Sequence, residues 1–253
     1  MQLFRLDNKV AIVTGSSRGI GRSIAENLAR CGARVVISSR KADACEAVAQ
    51  AIRDEGGQAL AIPANISSKE QLEALVARTR EHWGPIDILV CNAASNPYYG
   101  PATGMSDEVF DKVMRNNVLS NHWLCNLVHE DMASKKDGAI VIISSIGGLH
   151  GSSTIGAYNI SKAADMQLAR NLAVEWGPDN IRINCIAPGV VRTDFAKALV
   201  DDPRVRSLIE GQLPLRRFGE PDDIGGIAVM LASAAGRFIT GQTIVADGGY
   251  MVR

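Results

Sequence analysis

The sequence predicts an α/β fold, a single-domain Rossmann-type doubly wound parallel sheet of about seven strands with helices on both faces. Three observations carry this prediction. Short runs rich in valine and isoleucine recur without polar alternation, which is how strands covered on both faces read. Helical segments separate them, so strand and helix alternate along the chain. No Pro/Ser-rich stretch, long charge run or low-complexity segment breaks the 253 residues, so one domain over 1–253 is expected.

In chain order the strand-like runs are "KVAIVT" (9–14), "RVVISS" (34–39), "QALAIP" (58–63), "DILVCN" (87–92), "AIVIIS" (139–144), "RINCIA" (182–187) and "QTIVAD" (242–247). Among the helices, "GRSIAENLARCGA" ends at a glycine stop. "SKEQLEALVARTREHWG" opens on a serine N-cap and closes on Gly84.

Composition narrows the function. Lysine plus arginine total 27 and aspartate plus glutamate total 27, so no charge excess points to nucleic acid or an anionic membrane as the main partner. The opening residues carry Arg5, Asp7 and Lys9 with no apolar h-region, so no secretory signal is expected. No apolar run approaches a membrane span, and a cytoplasmic location follows. The five cysteines (Cys31, Cys45, Cys91, Cys125, Cys185) show no C-x-x-C spacing and the histidines no H-x-x-x-H cluster, so no metal site is expected. Cys91 and Cys185 belong with the core.

In such a sheet, ligands bind at the carboxyl ends of the strands. There the first strand runs into "TGSSRGIGRSIAENLA". Gly15 suits a tight turn, Gly19 a close approach of phosphate to backbone, and Gly21 close packing. The following helix offers free N–H groups and partial positive charge to a pyrophosphate. Glycine-rich turns are often only turns, and the strand before with the helix after supplies the context. The second strand ends "SSRK", with Ser39 and Arg40 where an acidic residue would select NAD. Arg18 adds a second cation. Two solvated surface arginines are one reading; a 2′-phosphate site, hence NADP with NADPH preferred over NADH, is the other.

The stretch "YNISKAAD" (158–165) places Tyr158 and Lys162 four apart on a helix, where their side chains meet. A free phenol titrates near 10, and an ammonium beside it stabilises phenolate. As an isolated pattern Y-x-x-x-K is a frequent accident. Upstream, "AIVIIS" ends in Ser144 and Ser145, hydroxyls at a strand end.

Taken together, "TGSSRGIG", "NAA" (92–94), "RNNVLSN", Ser145, "YNISK", "APGVVRT" (187–193) and "GQTIVADGG" (241–249) resemble the short-chain dehydrogenase/reductase family over nearly the whole chain. The resemblance implies roles. Tyr158 would be the general acid in carbonyl reduction and the base in reverse. Ser145 would polarise the carbonyl oxygen. Lys162 would lower the tyrosine pKa and hold the nicotinamide ribose. Asn117, rather than Asn116, would shape its helix and hold a water that relays protons to Lys162. The implied cofactor contacts are Gly15, Ser17, Arg18, Gly19, Ile20 and Gly21; Ser39 and Arg40; Asn65 and Ile66; Asn92, Ala93 and Ala94; Tyr158 and Lys162; and Pro188, Gly189, Val191 and Thr193.

Two departures from the family pattern stand out. Asn65 replaces the aspartate that usually meets adenine, and Ala94 replaces a glycine. "NAASNPYYG" resembles a subgroup of NADPH-dependent carbonyl and retinal reductases, which leans the substrate toward a ketone or dicarbonyl, with the reaction between ketone and secondary alcohol. Residues 189–217 would form a substrate lid with Phe195, Leu199, Leu208, Ile209 and Leu213; an ordinary amphipathic surface helix reads equally well. Tyr98, Tyr99 and His150 are candidates for the pocket edge. Trp123 and Trp176 are assigned to core or to subunit packing in a homotetramer. A 3-oxoacyl-thioester (acyl carrier protein) reductase, with Arg204, Arg216 and Arg217 facing the carrier, is the alternative. A non-catalytic NADP(H)-binding regulator is a third reading, which the complete Asn117, Ser145, Tyr158 and Lys162 set opposes.

Overall fold

A computed structural model describes residues 2–196 and 202–252. Seven strands form one parallel sheet in the order β3-β2-β1-β4-β5-β6-β7. They are β1 (Val10–Thr14), β2 (Arg34–Ser38), β3 (Gln58–Ala61), β4 (Ile88–Cys91), β5 (Gly138–Ile143), β6 (Ile181–Pro188) and β7 (Thr243–Ala246). Each expected strand is present, shifted by a residue or two at its ends. The helices described are α1 (Gly19–Arg30), α2 (Ala42–Asp54), α3 (Lys69–Trp83), α4 (Asp107–Met114), α5 (Ser120–Lys135), α6 (Gly156–Trp176), α7 (Pro203–Gln212) and α8 (Pro221–Ala232).

Side chains alternate across each strand, and here both faces are covered. Ala11, Val13, Val35 and Ile37 pack under α1, α2 and α8 with Ile24, Leu28, Val48 and Ile224. Val10, Ile12, Val36 and Leu89 pack on the opposite face under α3, α5 and α6 with Leu72, Leu75, Leu124, Val128 and Met166. Burying each such side chain stabilises by about 1.5–3 kcal/mol, which is why the strands read as unbroken apolar runs. Cys91, Cys185 and Trp176 lie in this second layer, as expected for core residues.

Helix ends also follow their local chemistry. Ser68 caps α3 by accepting from the Gln71 N–H at 3.3 Å, and Gly84 ends it at φ +84. Gly32, at φ +100, stops the chain just past α1. The strand order reverses at β1 and β4, whose carboxyl ends open the crevice where such folds bind ligands. No helix among the described residues is long and apolar enough to cross a membrane.

Candidate active site

The nucleotide end of the crevice is built mostly from backbone. Gly15 turns the chain out of β1 at φ +64. At Gly21 an added Cβ would lie 2.5 Å from the Gly15 carbonyl and against the Asn92 amide, so only glycine fits. Helix α1 begins at Gly19 with neither a side-chain cap nor an acidic residue in its first turn. Its N–H groups and dipole are thus left for an anion, and the residues present fit a dinucleotide pyrophosphate. Ile20 packs onto the first core layer, and Ser17 is half-buried.

Asn92 fastens this loop to the sheet. Its Nδ2 donates to the carbonyls of Thr14 (2.9 Å) and Gly15 (3.1 Å). Thr14 Oγ1 accepts from the N–H groups of Asn92 and Ala93 at 3.0 and 3.1 Å. Ala94 follows, half-buried. Thr14 escaped the sequence reading; a hydroxyl ending an apolar strand was its one signal.

At the end of β2, Ser39 Oγ lies 3.1 Å from Cys45 Sγ, and Arg40 is exposed. Arg18 holds Asp194 at 2.9 Å on the open surface. Asn65 spends one lone pair of Oδ1 on the Ser67 N–H (3.2 Å), leaving the second and its amide N–H groups for a ligand. Ile66 packs on the second core layer. Pro188 ends β6, Gly189 donates its N–H to Ala246 O (3.0 Å), and Val191 is buried in the first layer. Thr193 lies over the glycine loop, its methyl 3.1 Å from where a Cβ on Gly19 would be.

The catalytic end is built from side chains. Ser144 and Ser145 separate at the end of β5. Buried Ser144 ties the strand to α6 by donating to the Lys162 carbonyl at 2.7 Å. Ser145 is half-buried and accepts from the Gly147 N–H (3.0 Å), which leaves its own O–H to donate. Tyr158 is half-buried, its ring 5.9 Å from Phe195 and 5.7 Å from the Lys162 ammonium. Lys162 is 2% exposed; its ammonium donates to Ile143 O at 2.8 Å and Asp165 Oδ2 at 3.0 Å.

Asn117 lies in a π-helical turn, Arg115–Leu119, between α4 and α5, the kind of local distortion that often marks a functional site. It is fully buried, donating to Ser161 Oγ (3.0 Å) and Ser95 O (2.9 Å) and accepting from Ser95 N–H (2.8 Å). Asn116 instead donates to Ser95 Oγ. A hydrogen-bonded path joins the Asn117 backbone carbonyl to Lys162. The Asn121 amide donates to Asn117 O (2.7 Å) and to Asp165 Oδ1 (2.9 Å), and Asp165 Oδ2 accepts from Lys162. The sequence reading missed Asp165 and Asn121. The lysine–aspartate spacing of three was the available signal, one that most often marks a surface pair.

Burial pushes the Tyr158 phenol above its ordinary value, while Lys162 and a hydrogen bond with Ser145 pull it down and Asp165 adds to the rise. The lysine therefore acts in the expected direction, but burial outweighs it. Part of the tyrosine remains exposed, and solvent tempers the burial effect there. Burial alone would lower Lys162, yet Asp165 and Tyr158 outweigh it and hold the ammonium above the ordinary lysine range. Burial raises the Asp165 carboxyl despite Lys162 and Asn121.

Of the remaining candidates, Tyr98 donates to Pro101 O at 3.0 Å, and Tyr99 is exposed. His150 is exposed and lies 6.3 Å from the Tyr250 ring. Trp123 is partly buried beside Arg115. In residues 189–217, Leu213 is buried and Leu208 exposed; Leu199 lies outside the described residues.

Known proteins resemble this chain in sequence and in fold. The family model described as enoyl-(acyl carrier protein) reductase matches residues 15–251. Dehydrogenase/reductase SDR family member 4 of Sus scrofa is 40% identical over 244 residues, 96% of this chain and 88% of that protein. A gluconate 5-dehydrogenase from Burkholderia cenocepacia, solved with NADP and tartrate, superposes with a TM-score of 0.94 at 33% identity, covering 99% and 98% of the two chains. A 7α-hydroxysteroid dehydrogenase, solved with NADH and a 7-oxo bile acid, has a TM-score of 0.94 at 37% identity, covering 97% and 95%. With its glycine loop at the β1–β4 crevice and Ser145, Tyr158 and Lys162 gathered beside it, this oxidoreductase belongs to the short-chain dehydrogenase/reductase family.

Proposed function

We propose that the chain is an NADP(H)-dependent carbonyl reductase or secondary-alcohol dehydrogenase. The observation that carries this is the joining of Tyr158, Ser145 and Lys162 at the carboxyl ends of the strands, beside a free helix N-terminus. Bound there, the nicotinamide supplies a hydride in one direction and accepts one in the other. Gly15, Gly19 and Gly21 would give its pyrophosphate backbone to rest on, and Lys162 would hold its ribose. Ser145, already accepting from Gly147, donates its O–H to the substrate carbonyl oxygen. Tyr158 gives that oxygen its proton, and the Lys162 ammonium stabilises the phenolate left behind. In alcohol oxidation the phenolate takes the proton back.

NADPH preference rests on Arg40 and Arg18, on the absence of a carboxylate at 39–40, and on the NADP-bound relative. Phe195, beside Tyr158, belongs to an apolar lid over the site. Exposed Val174 and Phe238 support assembly, here assigned as a cytoplasmic homotetramer. The thioester alternative is weakened because Arg217 is taken by Asp223 at 2.6 Å and Arg216 by the Gly211 carbonyl.

Nicotinamide absorbance should be followed against aliphatic and cyclic ketones, α-diketones, steroids and an acetoacetyl thioester, with NADPH and NADH in parallel. NADPH should support turnover about tenfold or more above NADH. Turnover confined to the thioester would replace this reading with the alternative, and no turnover despite NADPH binding would favour the regulator.

A further inference from the structure

Lys162 raises a problem that the Tyr–Lys pair alone does not solve. Its ammonium is sealed inside the protein, and an unpaired buried charge sheds its proton rather than stay charged. Only a charged Lys162 can stabilise phenolate at Tyr158. The solution lies one turn further along α6. Asp165 is fully buried, and its carboxylate is the only one within 4.0 Å of this ammonium among the described residues. Both of its oxygens accept, Oδ2 from Lys162 at 3.0 Å and Oδ1 from Asn121 at 2.9 Å. Asn121 is in turn fixed by donating to the backbone carbonyl of Asn117. Cys185 on β6 donates its thiol to the Asp165 carbonyl at 3.5 Å, holding the backbone at that residue.

We propose that Asp165 is the positioning residue of this site, the buried counter-ion that keeps Lys162 charged and, with the Ile143 carbonyl, aimed at Tyr158. This rests on Tyr158 being the acid–base group. The other titratable groups facing the pair cannot take over. A hydrogen bond to Cys125 and burial push Cys91 on β4 far up, and burial does the same to Cys185, so neither offers an anion at neutral pH. Cys125 on α5 contacts Cys91, and Tyr99 reaches the site only as a distant influence on Tyr158.

The sign of the consequence follows from two opposed effects. Asp165 itself disfavours phenolate, but less than Lys162 favours it. If losing the carboxylate silences the ammonium, the larger effect goes, and phenolate becomes harder to form.

Lysine labelled at the ε-carbon allows Lys162 to be titrated by NMR, with its signal assigned by loss in Lys162→Met. In the unchanged chain Lys162 should remain protonated beyond the exposed lysines. In Asp165→Asn, which keeps the shape and removes the charge, it should titrate below them. Turnover of NADPH with the best ketone should fall about tenfold or more at neutral pH and recover as the pH is lowered and the ammonium returns. A merely structural loss would depress the rate equally at every pH. If Asp165→Asn does not fold, Asn121→Ala, which removes one hydrogen bond from the carboxylate, should shift Lys162 in the same direction by less. Lys162 titrating with or above the exposed lysines in Asp165→Asn, or unmoved in Asn121→Ala where only that variant folds, overturns the proposal. The NMR measurement needs no substrate, so it stands even if no ketone is turned over. Conversely, ketone turnover with an unmoved Lys162 would leave the carbonyl-reductase reading intact and remove only this one.

Discussion

The two ends of the crevice are made in opposite ways. At the nucleotide end the groups offered are backbone N–H groups and exposed arginines, and what shapes the site is the absence of side chains at Gly15 and Gly21. At the catalytic end the working groups are side chains, and Asn117, Lys162 and Asp165 are buried almost completely. Binding an anion needs donors that already point outward, and a helix start supplies them without any charge inside the protein. Moving a proton needs a charge held close to the phenol, and a buried charge needs a partner. The first end is therefore tolerant of its surroundings, and the second depends on a network three helices wide, drawn from the π-turn before α5, α5 itself and α6.

The contrast breaks most visibly at Tyr158. Replacing it with phenylalanine should lower kcat by about a thousandfold, since general acid–base catalysis contributes of that order. The NADPH dissociation constant, read by fluorescence titration, should stay within about threefold. Parallel loss of binding would mean that the ends are not separable.

Gly21→Ala attacks the other end. Its Cβ would meet the Gly15 carbonyl and the Asn92 amide, the groups that lock the loop to β4, and such overpacking costs about 1–3 kcal/mol. NADPH affinity should fall about tenfold or more and Tm should drop with it. Turnover at saturating cofactor should change far less than in the tyrosine variant.

How much of this was legible from sequence follows the same divide. Buried parallel strands carry their environment in their composition, so "KVAIVT" and "AIVIIS" locate β1 and β5 to within a residue. The glycine loop was legible because its requirement is local. Ser145, Tyr158 and Lys162 were legible as a set only through the resemblance to a family, since strand end and helix meet only in the folded chain. Thr14, Asn121 and Asp165 were not legible. A threonine ending a strand, or an aspartate three residues after a lysine, reads the same whether it faces water or the core. Burial decides, and burial is set by what α5 and α6 pack against.

Arg40→Ala sharpens the nucleotide end further. If Arg40 reads the 2′-phosphate, kcat/KM with NADPH should fall about tenfold while the value with NADH holds, because a charge-assisted contact is lost to one cofactor alone. Equal losses for both would make Arg40 a general phosphate contact.

The smallest effect concerns Arg18, whose guanidinium pairs with a carboxylate of this chain. Asp194, just beyond Thr193, holds its guanidinium at 2.9 Å, and both side chains are well exposed, at 72% and 65%. A pair so open to solvent is weak and easily exchanged. A cofactor phosphate arriving at Arg18 must still displace it, and in doing so would release the first residues of the 189–217 segment from the glycine loop. Removing the competitor by Asp194→Asn should therefore tighten NADPH binding by about two- to threefold. NADH binding should move less, and the difference should vanish in high salt. Weaker NADPH binding in this variant would reverse the assignment, because Asp194 would then be helping to place Arg18 for the cofactor, and an exposed ion pair would have become part of the preformed end.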